Sequence, residues 1–254
     1  MRATRQGESS NGLVNFYVLR SPRIFLFAPK GLFLFADVRV PIFNFESTMI
    51  LWTIRHTKPY NPNDVCYGRL DFDVSDTFPE ESSSAIADFL KAEPKPSRLF
   101  SSPLLRCLRL AEKVSEATGL PIEKEERIIE LNFGSWEGQK LTAAPRAEMA
   151  AWMKDWRGFR FPQGESFHDV DRRVEEFLDS LDDDGEFLWV THAGVIAALQ
   201  HFACGLADDI FVEGMFSYTM VNRFEFKRNS EGHFRGTFTT VHEGLKMPPL
   251  VMGD

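Results

Sequence analysis

Cysteine is scarce in this chain: only Cys66, Cys107 and Cys204 occur in 254 residues, and no two of them share a CxxC spacing. An odd, scattered set of thiols gives no disulfide framework and no cysteine-based metal knuckle, and fits reduced thiols in a cytoplasmic protein. Long apolar runs are also lacking, and none reaches the ~18 residues a membrane-spanning helix requires. Positive charge is in deficit, with a formal net charge of -8. That balance argues against a nucleic-acid binder or a protein drawn to acidic membranes. An anionic ligand would need a local cationic pocket rather than a cationic surface. No GxSxG follows a strand-like run, which excludes the nucleophile elbow of a serine hydrolase. No GxGxxG opens a helix after the first such run, which excludes a dinucleotide fold of the usual kind. Internal repeats are absent. So is a compact Asp/His cluster of metal-ligand spacing, and no metal or other cofactor is expected.

What is present suits a layered globular domain, since 43% of the residues are hydrophobic and the length allows a core of several layers. Residues 1–48 stand apart. They hold six basic residues (Arg2, Arg5, Arg20, Arg23, Lys30, Arg39) and three acidic ones (Glu8, Asp37, Glu46), a net of +3, leaving -8 - 3 = -11 for the remainder. Their apolar stretch IFLFAPKGLFLFA is broken by Pro29, Lys30 and Gly31, unlike the uninterrupted centre of a secretory signal, and Glu8 with many Phe fits an organellar presequence poorly. We expect residues 1–48 to be an N-terminal extension, with Met49 a start point for a working domain over 49–254.

From Met49 onward strands and helices alternate. MILWTIR (49–55), SRLFSS (97–102) and GEFLWVTH (185–192) read as short, continuously apolar strands buried on both faces. EESSSAIADFLKA places Ile86, Phe89 and Leu90 at helical spacing. PLLRCLRLAEKVSEATG opens on Pro103 and closes on Gly119, the expected asymmetry of helix start and stop. SFHDVDRRVEEFLDSL sets Phe167, Val170, Val174, Phe177, Leu178 and Leu181 on one face, with Ser166 as N-cap and Asp169 three residues on. AGVIAALQHFACG reads as a helix ending at Gly205, and YTMVNRFEFKR and GHFRGTFTTVHEG as late strands at a sheet edge. This order predicts an α/β fold: a mostly parallel central sheet with helices on both faces, three layers in all.

In such sheets ligands gather beyond the carboxyl ends of the strands. The first strand ends in Arg55 and His56. The second is followed by SSPLLR, which delivers Arg106 one turn into the next helix. The third ends in Thr191 and His192, and the intervening ELNFGSWEG carries Glu130 and Glu137. Taken singly, each is an ordinary loop or surface residue. Together, two histidines, two arginines and a carboxylate at matching strand ends form a candidate site.

These segments, in this order, resemble the histidine phosphatase superfamily in its phosphoglycerate-mutase-like branch. The Arg-His-Gly signature of that family stands here as IRHT, with Thr57 in place of the glycine; Ser-Pro-x-x-Arg stands as SPLLR, the acid-bearing segment as ELNFGSWEG, and the second histidine element as VTHAGV. The resemblance covers about residues 49–226. RHT followed by CYGRLD is most similar to the α-ribazole phosphatases. It implies a phosphomonoesterase acting on a small phosphorylated metabolite without a metal. His56 becomes the nucleophile, forming a phosphohistidine. Arg55 and Arg106 grip phosphoryl oxygens and hold the His56 pKa down. His192 is a further donor, aided by the amides that follow it. Glu130 is the general acid, with Glu137 ordering its loop. A carbonyl near Gly68 is expected to fix the His56 tautomer. Thr57, Tyr67, Gly68 and Arg69 are candidate substrate contacts, and Arg157 and Arg160 are candidate readers of a second anionic group. Two rival readings are a mutase of the same fold, which typically has a longer stretch than residues 139–163, and a non-catalytic phosphate binder.

Overall fold

The computed structural model describes residues 47–207 and 217–245. The expected N-terminal extension lies, except for residues 47 and 48, outside the described residues. A six-stranded mixed sheet runs through the domain in the order β3-β2-β4-β1-β5-β6. Its strands are β1 (Met49–Arg55), β2 (Arg98–Ser101), β3 (Ile122–Lys124), β4 (Glu186–Thr191), β5 (Val221–Arg228) and β6 (Phe234–His242). The first four are mutually parallel, and β5 and β6 extend the sheet antiparallel beside β1. From β1 the chain crosses to β2, leaving a slot that β4 later fills. β1 and β2 thus flank β4, and their three carboxyl ends share one rim.

The strand sequences explain the layering. β1 and β4 are buried on both faces, which is why they read as apolar runs rather than alternating ones. Trp52, Ile54, Leu188 and Val190 point to one face, where they meet Ala85 and Phe89 of α1 (Phe78–Lys91) and Cys107, Leu110, Ala111 and Val114 of α2 (Leu105–Thr118). Met49, Leu51, Phe187 and Trp189 point to the other, against Val170, Val174, Phe177 and Leu178 of α4 (Phe167–Asp179) and Val195 and Ile196 of α5 (Ala193–Ala198). Each such side chain contributes roughly 1.5–3 kcal/mol on full burial. A shorter helix, α3 (Arg146–Lys154), lies between β3 and α4 in sequence.

Several local expectations are met in detail. Gly119 caps α2 in the left-handed region at φ 75°, with its N–H on the Ser115 carbonyl at 2.8 Å. The Ser166 N–H donates to the Asp169 carboxylate at 2.8 Å, fixing the start of α4. Two expectations are corrected. Leu90, taken for the buried face of α1, is 43% exposed, and Ala85 fills that place. The helix predicted to run to Gly205 is α-helical only to Ala198 and continues as a π-helical turn over Leu199–Ala203. β3 and α3 had no expectation behind them: three residues are too few for a period, and α3 buries no residue fully.

Candidate active site

The rim is stitched together by main-chain bonds. His56 N–H donates to the Thr191 carbonyl (3.0 Å), Arg55 N–H to Met220 (3.0 Å), Thr219 N–H to His56 (3.3 Å) and Ser102 N–H to Val190 (3.0 Å). β1 therefore presents Arg55 and His56, β4 presents His192, and the β2–α2 turn presents Ser102 and Arg106, all within one small volume. The His56 and His192 rings lie 5.1 Å apart between centroids, tilted by 61°. All four of Arg55, His56, Arg106 and His192 are buried.

His56 Nδ1 lies 2.7 Å from the carbonyl of Thr57. With Nδ1 carrying the proton, Nε2 is left with its lone pair. This corrects the expected partner near Gly68, because the Gly68 carbonyl accepts instead from Arg106 Nη2 at 2.7 Å. Burial depresses the His56 pKa first, Arg106 and Arg55 depress it further, and the Thr57 carbonyl opposes them. The expected depression by Arg55 and Arg106 is present, second to burial. His192 is held well below its ordinary value by the same burial, then by Arg106 and His56. Its Nε2 meets the Ser102 hydroxyl at 2.7 Å and Cys107 Sγ at 3.4 Å. Burial pushes the Cys107 thiol up to about 12, so the sulfur remains protonated and donates to the Thr191 carbonyl at 3.5 Å.

Arg106 donates through Nη1 to Leu70 O (2.9 Å) and through Nη2 to Gly68 O (2.7 Å), while its buried Nε has no partner. A guanidinium carries five N–H donors. Two hold the loop, and the Nε–H is left without a partner. Such a buried unpaired donor is costly unless a ligand satisfies it.

Glu130 is buried beside His192. Its Oε1 accepts from Leu131 N–H (2.9 Å) and from Gly194 N–H (3.2 Å). The amide at the start of α5, expected to assist His192, is thus occupied by the carboxylate. A Cβ at Gly194 would stand 2.3 Å from Glu130 Oε1, so this glycine makes room for it. Glu137 takes the other role foreseen for it: its carboxylate accepts from the amides of Arg69, Leu70 and Phe133 at 2.8–3.1 Å. Gly68 allows the loop to press on the acid-bearing segment, since a Cβ there would stand 1.9 Å from the Leu131 carbonyl.

The remaining candidates separate. Thr57 is buried with its hydroxyl unpartnered, and Tyr67 faces the site. Arg69 turns to the acid-bearing segment instead, with Nε on the Glu130 carbonyl (3.0 Å) and Nη2 on Glu165 (3.2 Å). Arg157 is paired with Asp171 (2.5 Å) and Arg160 with Asp169 (2.6 Å), as ordinary ion-paired residues are. The aromatic residues near them, Trp136, Trp152, Phe159 and Phe161, pack on one another within the core.

Three contributors had no reading in the sequence as individual residues. Ser102 and Cys107 lie within or beside SPLLR, which offered a signal. Tyr218 offered none: it precedes β5, and only the antiparallel pairing of β5 with β1 carries it to the site. Its ring lies 4.4 Å from the Arg55 guanidinium carbon and 5.7 Å from the His56 ring, and its hydroxyl is 2.9 Å from that of Tyr67. Among the described residues, the one group of metal-ligand closeness is Glu175, Asp179 and His233. It lies at the far end of the sheet and is bridged by Arg235 to Glu175 (2.9 Å) and Arg228 to Asp179 (3.6 Å).

Comparison with known proteins agrees with this arrangement. The family model of the histidine phosphatase superfamily (branch 1) matches residues 51–234. A glucosyl-3-phosphoglycerate phosphatase of Mycolicibacterium vanbaalenii is 32% identical over 170 residues, covering 61% of this chain and 74% of the relative. The adenosylcobalamin/alpha-ribazole phosphatase of Salmonella typhimurium is 34% identical over 108 residues, covering 40% of this chain and 54% of the relative. The solved structure of a mycobacterial glucosyl-3-phosphoglycerate phosphatase superposes with a TM-score of 0.63 at 22% identity, covering 77% of this chain and 99% of that one, a likeness of fold. The chain belongs to the histidine phosphatase superfamily, branch 1, and is a phosphatase-type enzyme.

Proposed function

We propose that the chain hydrolyses a small phosphomonoester through a phosphohistidine on His56, with α-ribazole 5′-phosphate the leading substrate candidate. The observation that carries the chemistry is the meeting of His56 and His192 at 5.1 Å between two buried guanidiniums. A phosphoryl group needs an in-line nucleophile, charge neutralisation on its equatorial oxygens and a proton for the leaving oxygen. His56 Nε2 attacks phosphorus; its Nδ1–H stays on the Thr57 carbonyl and stabilises the phosphorylated ring. Arg55 and Arg106 hold the equatorial oxygens, because their planar forks match them and cannot lose the proton. His192 supplies a further hydrogen bond, its orientation set by Ser102. Glu130 delivers the proton to the leaving oxygen. Ionised, it then takes one from the water that attacks the phosphohistidine in line, releasing phosphate and restoring His56.

The substrate candidate draws on RHT with CYGRLD and on the likeness to the Salmonella enzyme. The pairing of Arg157 and Arg160 with aspartates favours hydrolysis of a monoester over a mutase, which must seat a second anionic group. Two experiments test the reading. An alkaline SDS quench during turnover should trap acid-labile, base-stable phosphate on the chain in wild type, up to one per chain, and none in His56→Gln. A panel of phosphomonoesters should rank α-ribazole 5′-phosphate first; a higher kcat/KM for phosphoserine or glucosyl-3-phosphoglycerate would replace it while leaving the mechanism intact.

A further inference from the structure

We propose that Tyr67 and Tyr218 form a linked positioning pair that holds the two phosphate-gripping arginines at a fixed separation. The inference rests on the reading of Arg55 and Arg106 as the phosphoryl grip. Each guanidinium carbon lies over one tyrosine ring: Arg55 Cζ is 4.4 Å from the Tyr218 centroid, and Arg106 Cζ is 5.1 Å from that of Tyr67. The phenol oxygens close the link at 2.9 Å. Arginine, ring, hydroxyl, hydroxyl, ring and arginine thus form one unbroken arch over the histidines.

The physical logic follows from guanidinium geometry. An aromatic face attracts the cation through its quadrupole, more strongly where water is excluded. Such a contact holds the charge over the ring, while the Arg106 Nη groups donate to the Leu70 and Gly68 carbonyls. Two adjacent buried cations repel one another, and without a spacer they would drift apart or admit water. Burial and mutual proximity raise the Tyr67 pKa, which keeps the phenol neutral where a phenolate would repel the substrate. The backbone is bent to hold the pair. Thr219 adopts φ 62°, a strained conformation for a β-branched residue, and its N–H is fixed to the His56 carbonyl. Gly244, at φ 71°, passes so near Tyr218 that a Cβ would stand 2.1 Å from the Tyr218 carbonyl.

The test compares the full chain with Tyr218→Leu, Tyr218→Phe, Tyr67→Phe and the double Phe variant. The readouts are kcat and KM on p-nitrophenyl phosphate, and calorimetric affinity for orthovanadate, whose oxygens copy the transferring phosphoryl group. Loss of the ring in Tyr218→Leu should weaken vanadate binding and lower kcat about ten-fold or more, with KM changed less. Tyr218→Phe should restore most of the vanadate affinity, because the ring remains. The two Phe variants should lose equally, and the double variant no more than either, because they break one link. A Tyr218→Leu effect below about three-fold on vanadate binding, no recovery with Phe, or independent multiplying losses in the double variant would overturn the pair. If wild type releases no phosphate, the proposed hydrolysis fails, and vanadate affinity alone still decides the positioning role.

Discussion

The two ends of the sheet hold similar residues in opposite electrostatic states. At the carboxyl rim of the parallel strands, His56 and His192 are buried beside two arginines, and their pKa values fall. At the far end, His233 sits in water between Glu175 and Asp179, and its pKa rises, chiefly through a 2.7 Å hydrogen bond to Asp179. The far end pairs opposite charges at the surface, where such pairs contribute little. The rim gathers two arginines and two histidines among buried side chains. That arrangement lowers stability unless an anion arrives. The difference teaches that charge type does not mark a site; charge placed against its own folding interest does.

The strongest challenge to this contrast is removal of His56, the proposed nucleophile. His56→Ala should abolish release of phosphate from p-nitrophenyl phosphate, a loss on the order of 10⁴-fold or greater; activity within a hundred-fold of wild type would move the chemistry elsewhere. Arg106→Lys keeps the charge but loses the fork that binds Leu70 and Gly68 while leaving donors for phosphate. We expect kcat to fall by roughly 10²–10³, about 3–4 kcal/mol of transition-state stabilisation. Glu130→Gln sharpens the picture differently. It should depress turnover of alkyl phosphates, whose leaving oxygen needs a proton, well beyond that of p-nitrophenyl phosphate, whose leaving group departs without one; equal losses would remove Glu130 from the proton transfer.

Stability against pH probes both ends at once. His56 and His192 are neutral when folded and take up protons on unfolding below their ordinary pKa near 6.5. The native state therefore loses stability as pH falls through 6.5, by up to about 1.4 kcal/mol per pH unit for each histidine. Urea unfolding at pH 7.5 and 5.5 should show this, and His192→Asn should reduce the slope. His233 has the opposite sign: its contact with Asp179 stabilises at acid pH and fades as pH rises through its elevated pKa. The smallest effect is expected of His233→Ala, which should leave kcat and KM unchanged and remove only that weak acid-side gain.

Much of the rim was legible because its residues follow apolar runs that could only be buried strands. MILWTIR, SRLFSS and GEFLWVTH fixed where Arg55, His56, Arg106 and His192 emerge, and four ordered motifs supplied Glu130. What escaped was set by contacts between distant segments. No local pattern distinguishes Tyr218 from any other tyrosine before a strand, and it reaches Arg55 only because β5 pairs antiparallel with β1. The Thr57 carbonyl replaced the expected Gly68 carbonyl because a backbone atom's aim depends on loop path, not on residue type. Whether Arg157 and Arg160 read an anion or are ordinary ion-paired residues could not be read locally either: their partners Asp171 and Asp169 are brought back by the turn into α4.

The main chain of His56, the proposed nucleophile, is tied on both flanks, to Thr191 on one side and to Thr219 on the other, with Arg55 joined to Met220 beside it. A residue held in this way cannot open without parting the middle of the sheet. Its amide hydrogen should therefore exchange with deuterium as slowly as the innermost strand positions, and activity should vanish in denaturant at the same midpoint as the fold itself.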